Sequence, residues 1–390
     1  MMREAVIVAA VRTPVGKARG CYAYMEPEHL GAVPIRELLA RTGFPGGQVD
    51  DIIYSTCRNL DMAIPGHLIG LTAGLPMEVP GFSVDRGCAS SLNGFAIAAT
   101  MIRTGIYDAA IAGGVENSTR GIYKMNPAPQ PFSMAPPTWV EDKITPPEYE
   151  NLGMGATAER IAQRFGITRE ECDRFALLSH QRATAAWEAG RFDGQIVPVE
   201  APAPKGKTVT VTRDETFRPD CSLESLSKLR PSFQRDGIVT AGNSSGFTDA
   251  AAAVLVMEQE KAKALGLPIL ARFKDCASIG VEPQIMGIGP AKATAKLLKR
   301  NGMTLKDVDL IELNEAFASQ SIACIRELDL DMEKTNVNGG AIALGHPFGA
   351  TGAILLTKIV YEMQRRDAQN GIVTFCIGGG QGFSVLLERE

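Results

Sequence analysis

SVDRGCASSLNGFAIAATMI, residues 83–102, and NVNGGAIALGHPFGATGAILLTKIV, residues 336–360, follow one plan. Each opens on small polar residues and glycine, sets one reactive side chain early (Cys88, His346), and runs on with helical apolar spacing. Their surroundings repeat as well. VDDII at 49–53 stands ahead of the first stretch and VDLIE at 308–312 ahead of the second. An apolar, strand-like run ending in glycines closes each, AAIAGG at 109–114 and GIVTFCIGGG at 371–380. Self-similarity of this kind predicts two like-folded halves that face each other, with the two reactive residues brought together between them.

Working outward, short apolar runs such as 5-AVIVAA, 52-IIYS and 309-DLIEL alternate with helix-period stretches such as 156-ATAERIAQRF, 172-CDRFALLSHQRATAAWEAG and 291-AKATAKLLKR. That alternation predicts an α/β protein. The middle differs. Residues 122–150 are too rich in proline for a helix or a central strand, and predict an extended excursion over the surface or over a site. The patch APAPKGK at 201–207 reads as linker-like.

The chain has 390 residues, 45% hydrophobic and 22% charged, with a formal net charge of -4. No global basic field points to nucleic acid or to an anionic membrane, so a polyanionic ligand needs a local site. Eight cysteines are scattered without a CxxC pair or a Cys/His spacing suited to zinc. Reduced thiols, a cytoplasmic location and no metal are the expectation. The start MMREAVIVAAVRTPVGK lacks the pattern of a secretory signal, and no run of eighteen apolar residues marks a membrane span.

Cys88 is placed at the first turn of a helix, where free N–H groups and the helix dipole favour a thiolate. The alternative is a buried structural thiol. Of the four histidines, His180 lies in a polar helical stretch and is expected to be exposed, and His29 and His67 lack glycine framing. His346 alone is framed by Gly345, Pro347 and Gly349. A neutral imidazole beside a thiol can take its proton; the alternative is a loop histidine satisfying backbone groups. Cys376 ends an apolar strand whose following glycines can aim N–H groups at an oxyanion, or it is a core cysteine. Asn314 either donates to a ligand or caps the helix that follows it. GIGPAK at 287–292 does not complete a dinucleotide fingerprint.

Taken together, REAVIVAAVRTPVGK, GCASSL, GGVENST, VTAGNSSGFTDAAAAVLV, MGIGPAKA, NEAFA, NGGAIALGHPFGATGA and CIGGGQG resemble, in order and from about residue 3 to 388, the motifs of the thiolase family. The resemblance implies duplicated five-stranded α/β halves in αβαβα layers. Residues 1–119 with 248–269 would form the N-terminal half, 270–390 the C-terminal half, and 120–247 an inserted loop domain. It implies reversible Claisen condensation and thiolytic cleavage of 3-oxoacyl-CoA to acetyl-CoA and acyl-CoA. On matching positions, Cys88 would carry the acyl group and His346 would activate it. Asn314, through a water, would build one oxyanion hole with His346; the N–H groups of Cys88 and Gly378 would build the other. Cys376 would move the α-proton. Met154, Arg218, Phe233, Ala241, Ser245 and Phe317 would contact coenzyme A, which is substrate and product, with no separate cofactor. A homodimer or homotetramer is implied too.

Three positions depart from the family pattern: Ser91 in place of Gly, Asp85 in place of Asn, and Gly153 where the short-chain biosynthetic branch carries His. They leave acyl-chain preference and direction open. Two other readings compete. A decarboxylating 3-oxoacyl synthase-like enzyme is opposed by LNEAFA and CIGGGQG. A catalytically silent CoA-binding subunit is opposed by the presence of every candidate catalytic side chain.

Overall fold

A computed structural model describes residues 3–132 and 134–389. The N-terminal part runs β1 (Ala5–Arg12), β2 (Gly16–Lys17), α1 (Pro27–Thr42), β3 (Asp51–Ser55), α2 (Pro65–Ala73), β4 (Gly81–Phe82), α3 (Ser90–Arg103) and β5 (Ala109–Asn117). The middle contributes α4 (Met154–Phe165), α5 (Arg169–Glu188), β6 (Val199–Ala203), β7 (Lys207–Val211) and α6 (Leu223–Ser227). The chain then returns as β8 (Thr248–Glu258) and α7 (Gln259–Ala264). The last part is β9 (Ala271–Gly280), α8 (Gly289–Arg300), β10 (Leu310–Leu313), α9 (Ala318–Leu328), α10 (Ala341–Leu344), α11 (Phe348–Arg366), β11 (Asn370–Ile377) and β12 (Gln381–Glu388).

One mixed sheet orders the strands β10-β11-β12-β9-β1-β8-β5-β3-β4. It is two copies of one pattern joined edge to edge. In each copy a parallel pair (β3 with β5, β10 with β11) is followed by two antiparallel partners (β8 then β1, β12 then β9). The join is narrow, with only Val6 opposite Arg272 and Ile7 opposite Ala271. The repeat reaches individual side chains. Asp50 Oδ2 accepts the N–H groups of Asp108 (2.6 Å) and Ala109 (2.9 Å). Asp309 Oδ2 accepts those of Gln369 (2.8 Å) and Asn370 (3.0 Å). Each aspartate of the VDDII/VDLIE pair thus starts the next parallel strand of its own half. The fifth strand of the C-terminal half is reduced. Where β4 pairs with β3, a single parallel bridge of Thr335 to Ile311 pairs with β10.

Alternation along the strands sorts the side chains into layers. Ile53, Ala110, Ala112, Val254 and Val256 from one half-sheet, and Val373, Phe375, Val385 and Leu387 from the other, pack on α3 and α11 in one shared cluster. The opposite faces bury Ile52, Tyr54 and Ile111 under α1 and α2, and Ile311, Ile372 and Leu386 under α8 and α9. Helix, sheet, helix, sheet, helix is the resulting stack. α3 and α11 are the helices that begin next to Cys88 and His346, so both reactive residues open onto the central layer.

Among the described residues, the middle segment adds no strand to the large sheet. It is anchored by buried Arg12, which reaches Asp214 (2.8 and 3.0 Å) and Gln195 (3.0 Å). The linker-like reading of 201–207 is corrected. Pro202 lies within β6, which pairs with β7 in a two-stranded sheet. An edge strand of that kind tolerates proline because the missing N–H faces away from the ladder. The described residues of the Pro-rich stretch are mostly exposed and irregular, with a 3-10 turn at Pro147–Tyr149 and an antiparallel bridge between Met125 and Trp139.

Candidate active site

The turn from β4 into α3 presents Cys88. Gly87 takes φ +50°, and Gly87–Ala89 form a 3-10 turn one step ahead of the α-helix proper. Asp85 Oδ1 accepts the Gly87 N–H at 2.8 Å, and Ser90 Oγ ties Arg86 N (2.8 Å) to Gly87 O (2.6 Å). The departure at 85 is therefore a cap for the turn. Ser91 Oγ accepts the Ala353 N–H at 3.1 Å and so couples α3 to α11. At Gly352 an added Cβ would overlap the Leu92 backbone nitrogen, which shows how closely the two helices approach there. At Gly153, the N-cap of α4, a Cβ would meet nothing within 4 Å.

The thiol of Cys88 is pushed up to about 12. Burial is the main cause; its own N–H works against that; Glu116 raises it; the Gly378 N–H lowers it; Asp85 adds a small rise. The N–H groups at the helix start do favour a thiolate, as expected, but in the free protein desolvation outweighs them. The N–H groups of Cys88 and Gly378 nonetheless each lower the pKa of the Cys88 thiol. At neutral pH the resting side chain is a thiol, and it needs a base.

His346 is buried, with Nδ1 2.7 Å from Thr351 Oγ1 and Nε2 3.3 Å from Asn314 Nδ2. Burial depresses its pKa to about 3, so the ring is neutral. Its loop is held by Glu116, a buried carboxylate that accepts N–H groups of Gly349 (2.8 Å), Arg58 (2.8 Å) and Cys57 (3.1 Å). Asn314 follows β10, its N–H bonded to Thr374 O at 3.0 Å. It is not a helix cap, because the N-cap of α9 is Phe317. Its Oδ1 is buried without a hydrogen-bond partner among the described residues. Cys376 is the next-to-last residue of β11, buried, and its thiol is raised well above the usual range by burial and then by neighbouring Cys88 and Cys324.

The positions matched to coenzyme A fall into two groups. Met154 and Phe317 pack on Cys376, Met286 and Ala316. Phe233 meets Phe317 edge-on at 6.1 Å, and Ser245 bonds Ala316 O through N–H (3.1 Å) and Oγ (3.0 Å). Arg218 and Ala241 lie farther out, on a cavity of ≈ 270 Å³ that also touches Gly345, next to His346. His180 lines this cavity too, and the expectation that it is exposed is corrected. It is 5% exposed, its Nδ1 accepts the Arg218 N–H at 3.1 Å, and burial lowers its pKa to about 4. The polar run around it hid the face that α5 turns toward the cavity. Lys17 and Thr248 line the cavity as well; the glycine before Lys17 is the only sequence signal for the first.

Residues 5–260 match the family profile described as Thiolase, N-terminal domain, and residues 267–389 match Thiolase, C-terminal domain. The chain belongs to the thiolase family. It is similar to an acetyl-CoA acetyltransferase of Pseudomonas aeruginosa, 46% identical over the full length of both chains. It is equally similar, at 46%, to a 3-ketoacyl-CoA thiolase of Bacillus subtilis, covering 99% of this chain and all of the relative. Among solved structures, the Bacillus anthracis acetyl-CoA acetyltransferase superposes with a TM-score of 0.94 at 39% identity, covering 99% of each chain. Human mitochondrial 3-ketoacyl-CoA thiolase gives 0.94 at 37%, over all of this thiolase and 99% of that chain. As a family member the protein is a thiolase-type acyltransferase. No helix of the described residues is long and apolar enough to cross a membrane.

Proposed function

We propose that this thiolase cleaves and forms 3-oxoacyl-CoA through an acyl group carried on Cys88. The observation that supports this most is that the Cys88 and Gly378 N–H groups both favour negative charge at the Cys88 thiol. Two donors in a water-poor site suit an oxygen that gains charge in a tetrahedral intermediate. In thiolysis, Cys88 loses its proton to His346 and its sulfur attacks the 3-oxo carbon. The bond between carbons 2 and 3 breaks, and the electron pair passes into the enolate of acetyl-CoA. Cys376 protonates that carbanion centre, and free coenzyme A then takes the acyl group from Cys88. The condensation runs the same steps backwards.

The unpaired Asn314 Oδ1 beside His346 supports a ligand-facing amide there, holding the enolate oxygen through a water. Coenzyme A would lie along the cavity past Arg218 and Ala241, with Met154, Phe233, Ser245 and Phe317 at its reactive end. No further cofactor or metal enters these steps. A homo-oligomer is part of the same proposal. It is supported by exposed Leu60, Ile64, Leu68, Leu71 and Met77 on and around α2, next to β4 at the open edge of the sheet.

Initial-rate kinetics over a series of 3-oxoacyl-CoA chain lengths tests the reading. Parallel double-reciprocal lines against coenzyme A are expected, as for a covalent two-step transfer. Intersecting lines at every chain length would rule out the acyl-enzyme route.

A further inference from the structure

Thr351 sits in the first turn of α11, and its hydroxyl has one proton and two partners. Oγ1 lies 2.8 Å from Pro347 O and 2.7 Å from His346 Nδ1. Pro347 O has no proton to give, so the bond between them uses the Thr351 proton. Oγ1 is then left as an acceptor toward Nδ1, and the neutral imidazole must carry its hydrogen there. The other ring nitrogen agrees. Asn314 turns its amide nitrogen, a donor, to Nε2 at 3.3 Å, which fits a bare lone pair. Both contacts are buried.

We infer that Thr351 is the positioning residue that sets the tautomer of His346, keeping hydrogen on Nδ1 and the lone pair on Nε2 for the Cys88 proton. This rests on the reading of His346 as the base. In acylation the Cys88 S–H bond breaks and its proton goes to Nε2. The sulfur electron pair forms the bond to the carbonyl carbon of the thioester. The leaving group takes the proton back from Nε2. Nδ1–H stays on Thr351 Oγ1 throughout, so the transient imidazolium has an acceptor on the side away from the reaction. Without the hydroxyl, that N–H faces the methyl groups of its own helix, and the tautomer with hydrogen on Nε2, useless as a base, gains population.

The arrangement leaves a second, less favoured state open, at the cost of the Thr351–Pro347 hydrogen bond. Pro347 O also accepts the N–H groups of Ala350 and Thr351, each at 2.9 Å. It remains satisfied when the hydroxyl turns away and donates to Nδ1 instead. Then Nε2 carries the hydrogen and becomes a donor, the form suited to holding an enolate oxygen in the condensing half-reaction. The same atoms thus serve a base in one half-reaction and a donor in the other, with one hydroxyl rotation between them.

Substitution separates the hydroxyl from mere packing. Thr351→Val keeps the shape and loses the oxygen; Thr351→Ser keeps the oxygen and loses a methyl. With 15N-labelled histidine, and His346→Asn to assign the signals, the free protein at neutral pH is expected to show hydrogen on Nδ1 and a bare Nε2. Thr351→Val is expected to shift that balance and to slow acylation of Cys88 by acetyl-CoA about tenfold or more, the scale of one buried hydrogen bond. Thr351→Ser is expected to hold both within about threefold of the parent, on the same scale. Hydrogen on Nε2 in the unsubstituted free protein overturns the inference, even if Thr351→Val does not fold. So does a Thr351→Val protein with unchanged tautomer and acylation rate, or a Thr351→Ser protein that loses as much as Thr351→Val. Absence of any acyl group on Cys88 in the parent would instead count against the proposed function.

Discussion

Asn314 and His346 come from different elements, the end of β10 and the loop before α11, and their side chains meet at 3.3 Å inside the protein. A pair that holds one oxygen between them acts as a unit. Asn314→Ala is expected to lower kcat/KM for thiolysis by about 10²–10³-fold, the range for loss of one oxyanion donor. Adding it to His346→Ala should cost little more, because the unit is already broken. Independent, multiplying losses in steady-state assays would separate the two residues.

On the proposed mechanism, Gly378 would control the room beside the thioester. Unlike Gly379 and Gly380 it does not have a positive φ, so alanine fits its backbone. The added Cβ would stand 3.2 Å from Met154 Sδ and 3.6 Å from Ile144 Cγ2. Gly378→Ala should keep most acetoacetyl-CoA cleavage and lose longer 3-oxoacyl chains by about tenfold or more, the scale of one methylene in a tight pocket. Equal loss at all chain lengths would place the acyl chain elsewhere.

His346 and His180 are both neutral when folded, depressed by burial to about 3 and about 4. Unfolded histidine titrates near 6.5, so below that pH the unfolded chain binds protons that the folded chain refuses. Stability is full above about pH 6.5 and falls with acid, by roughly 1.4 kcal/mol per pH unit for each such group, until the folded values are reached. Urea midpoints between pH 7 and 5 should show this slope. His180→Gln should reduce it, and an unchanged slope would mean that His180 is not the group titrating.

The aspartate pair measures the duplication. Asp50→Ala and Asp309→Ala each remove an acceptor of two backbone N–H groups at the start of a parallel strand. Each should lower stability by about 1–3 kcal/mol. In separate halves, the two effects should add within about 0.5 kcal/mol in urea unfolding. A large loss at one and none at the other would mean that the two strands are started differently.

That pair also shows why so much of the fold was legible. Asp50 and Asp309 do one job twice, and so left the same letters, VD followed by apolar residues, ahead of each half. Glycine-framed loops such as GHPFG were legible because close backbone approach admits few other residues. What stayed hidden depended on which way a side chain turns. His180 reads as exposed from its polar neighbours, and only the packing of α5 buries it. The raised thiol of Cys88 comes from burial and from Glu116 and Asp85, charges that distance in space decides. Thr351 is one helical turn past His346 and looked like any helix residue until its oxygen proved to have two partners.

The central claim is that Cys88 carries the acyl group. Peptide mass mapping after brief incubation with acetyl-CoA, quenched in acid, tests it most directly. One acetyl group on the peptide containing Cys88 is predicted in the parent and in Cys376→Ala, and none in Cys88→Ala. An unmodified Cys88 peptide in a protein that still turns over substrate, or acetyl found on Cys376 instead, would contradict it.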